Sequence, residues 1–513
     1  MKTSFSYRDD LWLWILIFLL ISASVGAEKI PFFKVQVVDE ETGRGVPLVE
    51  LKTVNEICYV TDSNGTIAFQ EPGLMNREVF FYVRSHGYSF PADGFGMEGV
   101  RLMTTPGGES VIRIKRINIA ERLYRITGQG IYRDSILLGM KVPLREPVLN
   151  GKVMGQDSAF AIPYHGKIHW FWGDTSKPSY PLGNFRMSGA VSQLPAQGGL
   201  SPDAGIDLHY FVDDQGFCKS MCPIRPGDLI WLDGFVVFPD PRDKEKMVAH
   251  YSHRKSLEQE IGHGLVIFDD EKQEFIQLTE FNINKSWQSP HAHPICEIRD
   301  DVEYVYFPTP FPTIRVRKHL TDLQNQDAYE AFTCLMEGTR FQGKKSKIDI
   351  QNGKPFYSWK HHTEPINPQQ EKELMEAGLL KPEDAHFLPL DKNSGEFPLM
   401  HSGSIRWNEY RKKWIMIAVE IGGQSFLGEV WYLESKELMG PWKTARKIVT
   451  HNKYSFYNPV HHPFFDQRNG RIIYFEGTYS RTFSGNELAT PRYDYNQIMY
   501  RLDLAHPALE LNR

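Results

Sequence analysis

The stretch GQDSAFAIPYHGKIHWFWGDT, residues 155–175, sets Asp157 before one apolar run and Asp174 after another, with the turn-like YHGK between them. The two carboxylates are 17 residues apart. Folded as a hairpin, the runs bring both acids to the same end of adjacent strands about 4.8 Å apart. Glycoside hydrolysis needs two carboxyl groups flanking one bond. One protonates the leaving oxygen; the other activates water or attacks the sugar. Asp157 and Asp174 are therefore the candidate catalytic pair. The plainer reading is that an Asp in GDT only accepts backbone N–H bonds in a turn.

Similar residue types recur down the chain. Five segments align on an apolar strand, a polar turn and an aromatic-rich strand: residues 157–175, 232–253, 289–311, 401–423 and 458–480. Their first strands begin near Asp157, Asp233, His291 and His293, His401 and Ser402, and Asn458 and His461. Aligning Lys167 with Lys413 sets Asp174 level with Glu420, while Glu476 falls level with Trp172. Trp172, Asp233, His293, Glu420, Tyr457, Asn458, His461 and Glu476 are the candidate substrate contacts. Aromatic rings offer sugars a stacking face, although alternate aromatics also fill strand cores. The pairs in HAHP and HHP suit sugar or metal contact. A structural Ca²⁺ in a central channel is one use for them; the hydrolysis itself requires no cofactor.

The elements that must position these residues are strands. Each repeated unit carries an apolar face that it cannot bury alone, and radial stacking buries it. The expected fold is all-β, a five-bladed β-propeller over residues 151–513, with an irregular sandwich as the competing arrangement. NPQQEKELMEAGLLKPED, in the long insertion between the third and fourth units, reads as an amphipathic helix. PRYDYNQIMYRLDL reads as the strand that closes the ring. Within residues 28–116, residues 32–116 alternate with period two, Phe33, Val35 and Val37 sharing one face, and Asn64-Gly65 marks a tight hairpin. This segment is expected to be a small β-sandwich preceding the propeller. Residues 117–150 read as a linker carrying a strand or short helix.

Residues 1–27 read as a secretory signal peptide: Lys2 and Arg8 precede the apolar run LWLWILIFLLI, and Val25 and Ala27 suit a cleavage site. That places the protein outside the cytoplasm, secreted, periplasmic or on the cell surface, with no membrane contact after cleavage. Its net charge of −5 over 513 residues gives nucleic acid nothing to bind. A polysaccharide or oligosaccharide is the expected partner. Of the five cysteines, Cys218 and Cys222 are close enough for a local disulfide or stand as two thiols.

The opening stretch, with NFRMSGAVS and GLSPDAG after it, resembles a family of secreted five-bladed propellers formerly grouped as domain of unknown function 4185. Some members are endo-D-arabinanases of glycoside hydrolase family 183. The G-x-D…G-D-T pattern falls on Gly155, Asp157, Gly173, Asp174 and Thr175, and the resemblance implies that the two aspartates are catalytic. Trp172 stands where Phe is usual, so arabinan does not follow as the substrate. VVDEETGRGVPLVEL…TDSNGTIAF is similar to transthyretin-like, carboxypeptidase-regulatory-type domains, which implies a spacer or adhesive role. Two other functions fit the same residues: a non-catalytic carbohydrate-binding propeller, and a polysaccharide lyase drawing His and Tyr from FYNPVHHP.

Overall fold

The computed structural model describes residues 31–511 except 241–243, 292, 491 and 493. The signal peptide expected at 1–27 lies outside the described residues. The protein is all-β with few helices.

Two four-stranded sheets formed by residues 33–116 enclose one apolar core that includes Val35, Val37, Leu51, Phe69, Phe81 and Ile112. The strand Phe33–Asp39 shows why: Phe33, Val35 and Val37 are buried while the residues between them are half-buried. It pairs antiparallel with Thr66–Phe69 and parallel with Glu109–Arg116.

Beyond residue 150, five larger sheets follow in chain order. Their first hairpins join Phe160–Tyr164 to Lys167–Trp172, Leu229–Asp240 to Lys244–Arg254, Ile295–Arg299 to Val302–Phe307, Met400–Asn408 to Lys413–Glu420, and Ser455–His461 to Ile472–Ser480. Each aligned sequence unit is thus the opening hairpin of one sheet. Successive sheets share apolar clusters. Phe171 packs with Ile230 and Phe235 of the second sheet. Val248 of the second meets Phe307 of the third. Tyr306 of the third meets Trp431 of the fourth, and Ile417 of the fourth meets Phe475 of the fifth. The fifth cluster returns from Tyr474 and Met499 to Ile168, Trp170 and Trp172 of the first sheet.

The segment expected to be a linker contributes to this body. Glu121–Arg125 is the outermost strand of the fifth sheet, antiparallel to Asn496–Asp503. The C-terminal strand expected to close the arrangement is therefore third in its sheet, and the earlier strand lies outside it. All five residues of Glu121–Arg125 are buried, so no period-two alternation marks the strand in sequence. An outer strand is buried because the N-terminal sheets cover it. Arg125 N–H donates to Ser63 Oγ at 3.2 Å and Arg122 Nη1 to the His86 carbonyl at 3.1 Å. A short helix, Arg133–Leu137, reinforces the joint: Ser135 N–H donates to Asp62 Oδ2 at 2.7 Å. The covered edge offers no template to another chain.

The helix expected after the third sheet runs Pro368–Glu376, its start fixed by a reciprocal cap between Asn367 and Gln370. All five cysteines are free thiols, and burial pushes those of Cys218 and Cys222 up to about 12. No helix among the described residues is long and apolar enough to cross a membrane.

Candidate active site

The first hairpin brings its two acids together. Phe160 pairs with Phe171 in the first sheet, and beyond the acids Gln156 pairs with Thr175 and Gly155 with Ser176. Asp157 and Asp174 border the gap between these two ladders, and the Asp174 backbone N–H and charge both act on the Asp157 carboxyl. Gly173 N–H donates to the Asp157 carbonyl at 2.8 Å and ties the strands at that point. Ser158, at φ +54°, breaks the strand between Asp157 and the sheet.

Glycine and threonine at the motif positions have physical reasons. A Cβ on Gly173 would lie 2.3 Å from Asp157 Oδ1, and one on Gly155 would lie 2.3 Å from the Tyr495 carbonyl. Thr175 and Gln156 form a buried network with Ser188 behind the acids, Thr175 Oγ1 lying 2.9 Å from Ser188 Oγ. Gly173→Ala is expected to displace the Asp157 carboxyl and lower turnover by about tenfold or more while the protein stays folded. Initial rates and a melting curve on the same preparation check this.

Neighbouring sheets complete the site. Tyr457 Oη of the fifth sheet donates to Asp157 Oδ2 at 3.1 Å. Trp231 Nε1 of the second donates to Asp174 Oδ1 at 3.3 Å. Asn458 Nδ2 donates to Ser158 Oγ at 2.8 Å, and Ser402 Oγ of the fourth sheet donates to Asn458 Oδ1 at 3.1 Å. Asp233 Oδ2 of the second sheet meets His291 Nδ1, just before the third, at 2.5 Å. The starts of all five sheets thus carry polar groups bonded across sheet boundaries. Asn458 at φ +50° and Tyr495 at φ +63° add to the local backbone strain, which gathers where structure is held for chemistry.

The environments of the two acids differ. Burial and then the charge of Asp174 push the Asp157 carboxyl up to about 7, against the lowering effect of the Tyr457 hydroxyl. Burial also raises Asp174, and the Trp231 indole works against it. Asp157 is the better proton carrier near neutrality. Its raised pKa also links pH to stability. Between about pH 4 and 7 the folded state binds a proton that the unfolded state has released, so stability falls as pH rises through that window. Asp157→Asn removes this titration. The variant is expected to be more thermostable than the wild type at pH 8, by about 1 kcal/mol or more, with the gap closing near pH 4. Melting curves across that range measure it.

Several expected contacts lie elsewhere. Trp172 is fully buried, because Ile168, Trp170 and Trp172 all turn from their strand into the cluster shared with the fifth sheet. It cannot stack on a sugar. Glu476 is 0% exposed and accepts from His462 Nε2 at 2.7 Å, a hydrogen bond within the core. His461 is buried against Asp466 at 2.8 Å. With both histidines of HHP in the core, the lyase reading loses its base. His293 lies deeper, its ring 5.0 Å from Phe160 and its carbonyl bonded by Arg406; burial holds its imidazole down at about 3. Glu420, paired with Met400 at the start of the fourth sheet, is engaged within that sheet, accepting from Trp431 Nε1 at 2.9 Å. The structure therefore brings together Asp157, Asp174, Tyr457 and Asn458, with Asp233 beside them. Among the described residues no group of three or more His, Cys, Asp or Glu is placed to hold a metal ion.

Trp231, Tyr495 and Ser158 escaped the sequence reading. Trp231 had a signal: two positions before Asp233 on one strand, it shares that residue's face. Tyr495 donates to the Asp174 carbonyl at 3.3 Å from a position read only as part of the closing strand.

No protein-family model matches the sequence, and no curated protein matches it. Solved structures similar to the chain include an exo-β-1,3-galactanase from Phanerochaete chrysosporium with galactose, at 9% identity and a TM-score of 0.37, covering 75% of this chain and 65% of that one. Another is an exo-1,5-α-L-arabinanase from a bovine ruminal metagenomic library, at 8% identity and a TM-score of 0.33, covering 69% and 94%. A third is an N-acetylgalactosamine deacetylase from F. plautii in complex with blood group B trisaccharide, at 10% identity and a TM-score of 0.35, covering 75% and 95%. The chain spans about two thirds of the galactanase's length. Likeness at this level carries no argument about activity.

Proposed function

We propose that this protein is a secreted glycoside hydrolase in which Asp157 donates the proton to the leaving oxygen and Asp174 activates water or attacks the sugar. One observation carries the reading: Asp157 and Asp174 border one gap between two strand ladders, close enough that the Asp174 charge and backbone N–H both act on the Asp157 carboxyl, which burial lifts to about 7. Tyr457 orients Asp157 and Trp231 orients Asp174, so neither acid needs to reorganise as charge develops.

We infer further that the five sheets are the blades of a five-bladed propeller. Support comes from the apolar clusters, which pass from each sheet to the next and return from the fifth to the first. The acids then sit at the mouth of its central channel. The G-x-D…G-D-T pattern supports kinship with the family 183 endo-D-arabinanase-like proteins, and the basic and apolar leader supports export. The N-terminal sheets are proposed to be the transthyretin-like module, serving here to cover the outer strand of the fifth blade.

The test is release of reducing ends from a panel of polysaccharides, with the pH profile measured on whichever glycan is cut. Activity is expected to fall as pH rises through about 7, where Asp157 loses its proton. Glycan binding with no product from any substrate would favour the non-catalytic reading instead.

A further inference from the structure

Asp233 and His291 take no part in the two-acid chemistry, yet they border it. Trp231, which holds Asp174, and Asp233 lie on the strand Leu229–Asp240 two positions apart. Their side chains share one face, about 7 Å apart along the strand. That offset is close to the span of one sugar ring. Asp233 Oδ2 engages His291 Nδ1 at 2.5 Å, which fixes the imidazole and leaves Nε2 as its outward group. The His291 side chain is 46% exposed, whereas that of Asp233 is 12% exposed.

The charges around this pair bear on what it can bind. Asp233 cancels the charge of His291, which its carboxylate holds up at about 8. Glu260, also in the electrostatic reach of His291, stays ionised. Burial pushes its carboxyl up, but bonds from His263 and Ser252 more than reverse this and hold it at about 2. Arg254 sits 5.1 Å over the Trp231 ring, with its guanidinium donating to Ser252 and to the carbonyls of Ser256 and Leu257. On the other side of the acid pair, Asp494 adds its charge to those of Asp157 and Asp174 at Tyr457. Around the pair, Asp174, Asp233, Glu260 and Asp494 thus stand against His291 and Arg254.

We propose that Asp233 and His291 bind the sugar unit next to the cleaved one, His291 Nε2 donating to a hydroxyl oxygen, and that the acidic surroundings restrict the site to uncharged glycans. The place of the cleaved bond rests on the hydrolase reading; the binding preference is measurable without turnover.

The experiment uses the full chain carrying Asp157→Asn. Neutral oligosaccharides (arabino-, galacto- and xylo-) are titrated calorimetrically at pH 6. Each is compared with its counterpart oxidised to carboxylates at the primary alcohols or, for xylose, bearing glucuronate. The expected result is binding of at least one neutral oligosaccharide, with its acidic counterpart at least tenfold weaker in 20 mM salt and the gap narrowing in 500 mM salt. Adding His291→Ala is expected to weaken neutral binding about tenfold, and His291→Gln, which keeps a donor, to restore part of it. Melting curves confirm that each variant is folded. Acidic glycans binding as well as neutral ones, no neutral glycan binding, or an unchanged affinity in His291→Ala would each overturn the proposal. Product release by the wild type, scored separately, decides the hydrolase reading on its own.

Discussion

Asp157→Asn and Asp174→Asn each lower glycan hydrolysis by about 10³-fold or more, with the fold intact. Asn keeps the shape of Asp and accepts the bond from Tyr457 or Trp231, but neither carries the proton nor attacks. The two losses differ in kind. If Asp157 is the proton donor, substrates with good leaving groups, such as nitrophenyl glycosides, depend on it less, so Asp157→Asn should retain far more activity on them than on polysaccharide. Asp174→Asn should be equally impaired on both. Equal losses on both substrates for both variants would reverse or dissolve the role assignment, and full activity in either variant would remove that residue from the chemistry.

The second large effect is on stability. Glu476→Ala leaves His462 without its carboxylate in a pocket where both side chains are almost wholly enclosed. Leaving a buried hydrogen-bonding group without its partner costs about 1–3 kcal/mol, because it keeps the cost of burial without the bond. Chemical denaturation of Glu476→Ala is expected to show that loss, whereas Glu476→Gln, which still accepts a hydrogen bond, should lose less. A variant as stable as the wild type would mean that the pair contributes nothing to the core between the first and fifth sheets.

These two expectations also mark how far the sequence could be read. The hairpin acids were legible because their signal is local: apolar alternation, a turn and a fixed register bring residues 17 positions apart together without help from the rest of the chain. The five hairpins were legible for the same reason. Glu476 misled because an acid ahead of Gly at the end of an apolar run resembles a strand terminus, while the strand continues to Ser480 and the acid is paired from within by His462. Trp172 misled because a ring that suits a sugar face suits the space between two sheets equally well. Trp231, Tyr495 and the Asp233–His291 contact depend on which sheets become neighbours, which no local pattern encodes.

The outer strand of the fifth sheet has a temporal consequence. Glu121–Arg125 leaves the ribosome long before its partner Asn496–Asp503, so it must wait while every intervening sheet is made. Pairing across so long a stretch of chain is slow. Until then the strand's one shelter is the N-terminal pair of sheets, which is complete before the strand emerges and already presents Ser63 and the His86 carbonyl to it. The N-terminal sheets are thus the one part of the strand's final surroundings already synthesised when it emerges.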